Sequence, residues 1–237
     1  MKRSFIAALL LLPLLLSCGG KEGADPKPSK AKWVDMGTGV LWAVQNLGAS
    51  AEHENGLKYA WASTKPGEFF TWGNCPFCNV DSDGNPVITW YGSDGKESLL
   101  RENDAATRKL KGMSRIPTPD EFHALFNSKV FEWVWVPEYR TEAGEVCYNE
   151  WNEPVSGYRV TNLETGSKLF FPAAGIGSDN GGVYKPGILG AYWTDTRDHA
   201  DETKATAFIF DDETHEIGLT GNWRNEGLSI RAVKPKE

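Results

Sequence analysis

From Trp33 onward the chain runs as short apolar segments separated by clusters of Gly, Asn, Asp and Pro, which is how strands and turns read. Strands are predicted over residues 40–43, 131–136, 158–162, 168–171, 191–194, 205–210, 215–220 and 228–233, most of them alternating apolar with polar positions. Successive side chains of a strand point to opposite faces, so the alternation predicts sheets with one face buried. Segment 158–162 leads through Leu163-Glu164-Thr165-Gly166 into 168–171, a predicted hairpin, and 207–210 leads through the polar residues 211–214 into 216–219, a second one.

Helix is the minority. Thr118-Pro119-Asp120-Glu121 supplies an N-cap hydroxyl, a proline at the first helical position and a glutamate at the third. This capping box predicts a helix that carries Phe122, Leu125 and Phe126 and ends near Asn127 or Ser128. A second helix is predicted over residues 103–109, with Asn or Asp capping its start and Gly112 stopping it. No repeat of fixed period and no break in composition divides the body, so residues 32–237 are read as one domain.

The N-terminus has a different character. Lys2 and Arg3 precede an apolar run over residues 5–16, shorter than the roughly 20 residues that span a bilayer and patterned like a secretory signal. Its end, Leu15-Leu16-Ser17-Cys18-Gly19-Gly20, resembles the bacterial lipobox, in which cleavage before the cysteine exposes a thiol and an amine for acylation. Residues 1–17 are therefore expected to be a removed signal peptide and Cys18 the lipidated anchor. Residues 18–31, with two prolines and no apolar periodicity, are expected to be a solvated tether. Gly19 after the cysteine resembles outer-membrane sorting, with the body on either the cell surface or the periplasmic face.

The chain of 237 residues is 40% apolar and 24% charged, a composition that buries a sizeable core. Without Lys2 and Arg3, 32 acidic residues face 23 basic ones, a net charge of −9. That balance lacks the Lys/Arg excess on which nucleic-acid binding draws, so DNA and RNA are not expected partners. The 10 Trp, 7 Tyr and 11 Phe supply a large core or stacking platforms.

Several short motifs occur in a recognisable order: Val40-Leu41-Trp42-Ala43 with Asn46-Leu47-Gly48-Ala49; Tyr59-Ala60-Trp61; Arg115-Ile116-Pro117-Thr118-Pro119-Asp120-Glu121-Phe122; Leu169-Phe170-Phe171-Pro172-Ala173-Ala174-Gly175; Tyr192-Trp193; and Gly227-Leu228-Ser229-Ile230-Arg231. Together they resemble the FISUMP, or "major paralogous domain", family of secreted and lipid-anchored bacterial proteins. The resemblance spans Trp33 to Val233 and implies an α+β, C-type-lectin-like fold with two helices, twisted antiparallel sheets and long irregular loops. It places the chain near the branch that holds formylglycine-generating enzymes. The acidic stretch 141–153, containing Cys147, departs from the family pattern and reads as a loop particular to this member.

Candidate chemistry is sparse. Cys75-Pro76-Phe77-Cys78 has the spacing of a redox pair, but catalytic exchange needs a strand before it and a helix after it, and the residues that follow are turn-formers. The expectation is a loop thiol pair able to form a disulfide, with at least one of Cys75, Cys78 and Cys147 left over. Formylglycine-generating enzymes use a C-terminal cysteine pair, which this chain lacks after Cys147; His53, His123, His199 and His215 are scattered singly. No metal and no cofactor is expected, and Asp81 to Asn85 reads as a turn rather than a calcium loop because Gly92 stands where a bidentate Glu is needed. Aromatic and polar residues in two C-terminal loops, Trp193, Asp195, Arg197, Asn222, Trp223 and Arg224, are the candidate ligand face, with the alternative that the two indoles pack the core. The functional expectation is a lipid-anchored, non-enzymatic binding or structural module with a glycan or protein ligand. Its rivals are a metal oxidase of the formylglycine-generating type and an assembling envelope subunit.

Overall fold

The computed structural model of the protein describes residues 31–89, 97–110, 112–126 and 129–236. The expected signal peptide, Cys18, nearly all of the tether, and Gly92, Asn127 and Ser128 lie outside the described residues. The described chain is mixed and mostly sheet. Its strands are β1 (Trp33–Asp35), β2 (Val40–Ala43), β3 (Cys78–Val80), β4 (Pro86–Ile88), β5 (Phe131–Val136), β6 (Gly157–Asn162), β7 (Lys168–Pro172), β8 (Ile176–Gly177), β9 (Val183–Tyr184), β10 (Leu189–Arg197), β11 (Lys204–Asp211), β12 (Glu216–Trp223) and β13 (Val233–Pro235). They form small antiparallel sheets in the orders β1-β2-β13, β3-β4, β5-β6-β7, β8-β9 and β10-β11-β12. Both predicted hairpins are present, as β6-β7 and β11-β12.

Two helices, α1 (Ala105–Leu110) and α2 (Pro119–Phe126), are described. The capping box of α2 forms as its residues dictate: Glu121 N donates to Thr118 Oγ1 at 3.2 Å, and Thr118 N to Glu121 Oε2 at 2.9 Å. Arg115 grips the same carboxylate through both terminal nitrogens, at 2.5 and 2.8 Å. Helix α1 starts later than predicted because Asp104, not Asn103, caps it. The Asp104 Oδ1 accepts from Thr107 N at 2.9 Å, and Asn103 ends a 3-10 turn.

Period-2 geometry gives the central β10-β11 pair two buried faces. Tyr192, Phe208 and Phe210 join Trp42, Phe122, Leu125 and Phe171 in one cluster, where Phe122 stacks on Phe208 at 4.7 Å and Phe171 meets Tyr192 edge-on at 5.3 Å. Ala191, Trp193, Ala205 and Ala207 join Tyr59, Trp61, Leu228 and Ile230 in another. A third, smaller cluster holds Tyr139, Cys147, Val155 and Phe170, so the acidic stretch 141–153 is tied down through Cys147.

The strand predicted over 228–233 is not one. Only Val233 belongs to a strand, and the rest is an extended strap with isolated bridges. Its backbone bonds go to different segments rather than along one ladder: Leu228 pairs with Tyr59, Ser229 with Ala191 and Trp193, Ile230 with Leu47, and Ala232 with Ala43. Arg231 inside this strap is fully buried. Its guanidinium donates to Asn46 Oδ1 at 2.9 Å, to the carbonyls of Ala43, Val44 and Phe170 at 3.2, 2.6 and 2.8 Å, and lies over the Phe171 ring. A buried charge is tolerable only when its donors are satisfied in this way.

Candidate functional site

The segment from Ala60 to Asn74 lines an open concavity. Tyr59 pairs with Leu228, and Trp61 N donates to the Arg224 carbonyl at 2.9 Å, which holds the start of the segment against the C-terminal strap. The Trp61 indole is buried, donating to the Thr194 carbonyl at 3.1 Å, with the buried Arg224 guanidinium over its face at 4.7 Å. Farther on, Phe70 plugs a slot between Gly177 and Gly227. A Cβ at either glycine would lie 2.5 or 2.3 Å from the Phe70 ring, so only glycine leaves room for the plug. The Phe70 carbonyl accepts from Asn225 Nδ2 at 2.8 Å, and Phe70 N donates to the Ser178 carbonyl.

Beside this plug opens a pocket of about 450 Å³ whose wall is formed by Ser63 and residues 65–71, with Asn74, Ala60 and Asn225. Phe69 is 55% exposed, and Lys65 and Glu68 bring opposite charges to the rim. Asn225 is buried, and its Oδ1 has no hydrogen-bond partner among the described residues.

Of the residues named from sequence, Trp193 and Arg224 leave the candidate face. Trp193 is fully buried and donates its indole N–H to the Tyr59 carbonyl at 2.7 Å; Arg224 is fully buried beneath Trp61. Both face inward because the alternation of β10 and the turn after β12 aim them at the cluster around Trp61. Asp195 is half-buried beside Arg115, Glu121 and Asp104, where burial pushes its carboxyl up to about 6 against the opposing Thr196 hydroxyl bond and the Arg115 charge. Arg197 reaches toward Glu97 at 4.0 Å, and Asn222 bonds Glu226. Trp223 remains exposed at the end of β12. The turn 221–226 does border the pocket, but through Asn225, which sequence reading passed over. The loop 63–74 was likewise missed, since its Phe-Phe pair carries no signal of which ring is buried.

Cys75 and Cys78 are buried free thiols in contact, and Cys147 lies in the third cluster. The residues after the pair form the β3-β4 hairpin, and Asp81 Oδ1 accepts from Asp83 N and Asn85 N, a side-chain-capped turn as expected. The histidines sit apart: His53 on Tyr139, His123 on Phe126, and His199 beside Glu97. Lys58 donates to the Gly175 carbonyl and to Ser229 Oγ, and burial pulls its amine down to about 7 against the Glu150 charge. Among the described residues no three or more His, Cys, Asp or Glu side chains converge to hold a metal ion, and no helix is long and apolar enough to cross a membrane.

Comparison with protein-family models, curated proteins and solved structures finds no match to this chain.

Proposed function

We propose that this protein is a lipid-anchored bacterial outer-membrane protein whose body, of C-type-lectin-like fold, is a non-enzymatic binding module. The anchor is Cys18. The ligand is a glycan or a protein segment, taken at the pocket between loop 63–74 and Asn225 rather than on the Trp193 face named from sequence.

The observation that carries this reading is the pocket itself. It is open, about 450 Å³, and sets an exposed phenyl ring, Phe69, among amide, hydroxyl and charged groups. Ligand sites commonly combine an apolar surface with a few placed polar groups, and an aromatic face suits a sugar ring or a peptide side chain.

The test uses the full-length chain in detergent on glycan and peptide arrays, beside Phe69→Ala. A ligand bound by the parent and lost by the variant, with both equally folded, supports the reading. A ligand whose binding is indifferent to Phe69 places the site elsewhere. Cys18→Ala tests the anchor separately: the variant should leave the membrane fraction, and full retention there contradicts lipidation.

A further inference from the structure

We propose that Cys75 and Cys78 are a thiol-oxidation site, and that the disulfide between them latches the turn that ends the pocket-bearing segment. The role in the pocket rests on the binding function proposed above; the bond itself does not.

The turn brings the two thiols together. Cys78 N donates to the Cys75 carbonyl at 3.3 Å, Pro76 occupies the second position, and Phe77 takes a left-handed φ of 58°. This is the pattern of a type II turn, in which the first and fourth residues face each other. A bulky residue holds φ above zero only where its surroundings impose it. Here Phe77 packs against the cluster around Trp61, and its carbonyl accepts from Thr89 N at 2.8 Å. The sulfurs are 2.7 Å apart, and Cys147 packs in another cluster with Tyr139, Val155 and Phe170.

The electrostatics favour exchange. The hydrogen bond between the sulfurs, followed by the nearby Arg224 charge, lowers the Cys78 thiol against its burial, while the same bond and burial push Cys75 up. Cys78 is therefore the readier of the two to give up its proton and, once it has, attacks a disulfide oxidant, such as glutathione disulfide. The oxidant's S–S bond breaks, and its leaving thiolate takes up a proton. Cys75 then gives up its proton and attacks the Cys78 sulfur of the mixed disulfide, releasing the second small thiolate, which is protonated in turn. Two protein thiols and one small disulfide become one protein disulfide and two small thiols. Both cysteines are under 10% exposed, 5% and 8%, so exchange proceeds through local opening of the turn and the finished bond is shielded from reductants.

The test takes the full-length chain carrying Cys18→Ala, equilibrates it in an oxidising glutathione buffer, then denatures, alkylates and maps it by mass. The expected result is label on Cys147 alone, with the peptide spanning 75–78 lighter by two hydrogens until dithiothreitol is added. Label on Cys75 and Cys78, or a bond from either to Cys147, overturns the proposal. Hydrogen exchange reads the latch: amides of residues 69–77 should exchange at least about tenfold faster after reduction. Unchanged exchange there refutes the latch. Neither readout involves a ligand, so failure of the binding function leaves this result standing.

Discussion

The two faces of the β10-β11 pair solve burial in opposite ways. One presents Tyr192, Phe208 and Phe210 and is filled by large rings from β2, β7 and α2. The other presents Ala191, Ala205 and Ala207 beside Trp193, and the three small side chains let irregular backbone from the Tyr59–Trp61 segment and from the 228–232 strap lie close. Backbone brought that near must have its polar groups satisfied, and two indoles do part of this work: Trp193 donates to the Tyr59 carbonyl and Trp61 to the Thr194 carbonyl. The ring-filled face is a stability element. The small-residue face carries the loops, and the pocket with them.

The ring-filled face is most vulnerable at Phe208. Truncating this fully buried ring, Phe208→Ala, should cost about 3–5 kcal/mol in urea unfolding, because it opens a cavity among rings that cannot collapse onto it. A loss under about 1 kcal/mol would mean that this face is not the stability element.

On the loop side, Gly227→Ala puts a methyl group 2.3 Å from the Phe70 ring. The expected cost is about 1–3 kcal/mol, with hydrogen exchange quickening in residues 63–74 while the amides of α2 stay protected.

Asp195 makes stability depend on pH. Its carboxyl is raised to about 6, so between about pH 4 and 6 the folded chain keeps a proton that the unfolded chain has released. The contribution of this group to stability therefore falls as pH rises through that window. Asp195→Asn should be more stable than the parent at pH 7 by about 1–3 kcal/mol and indistinguishable from it near pH 3.5. Equal stability at both pH values would show that Arg115 fully compensates the buried charge.

The smallest expected change in stability is at Phe69. Because the ring is 55% exposed, Phe69→Ala should shift unfolding by less than about 0.5 kcal/mol while weakening ligand binding tenfold or more, measured by titration calorimetry.

The ring-filled face was legible in the sequence for physical reasons. The apolar runs in 205–210 and 168–171 report strands that end in buried rings, although the one buried face expected of β11 is two in the structure, and the Thr118–Glu121 box reports a helix start through local bonds alone. The strap 228–233 was misread because it is buried all round. Leu228, Ile230 and Ala232 point one way while Ser229, Arg231 and Val233 are equally covered, and Arg231 as a buried hub has no signature distinct from a surface arginine. The short strands β1, β3, β4, β8, β9 and β13 hold two or three residues each, too few to show a period. For the site, Trp193 and Trp223 read alike in sequence. One lies mid-strand facing the Trp61 cluster and the other at the end of β12 beyond the core, a difference set by tertiary position alone.

A ligand site at the pocket is tested by binding of the full-length chain, in detergent, to an array-selected glycan or peptide, compared among parent, Phe69→Ala and Asp212→Asn, the last a change on the turn after β11. Phe69→Ala should lose binding at unchanged melting temperature while Asp212→Asn keeps it. Undiminished binding by a folded Phe69→Ala chain would contradict a ligand site at this pocket.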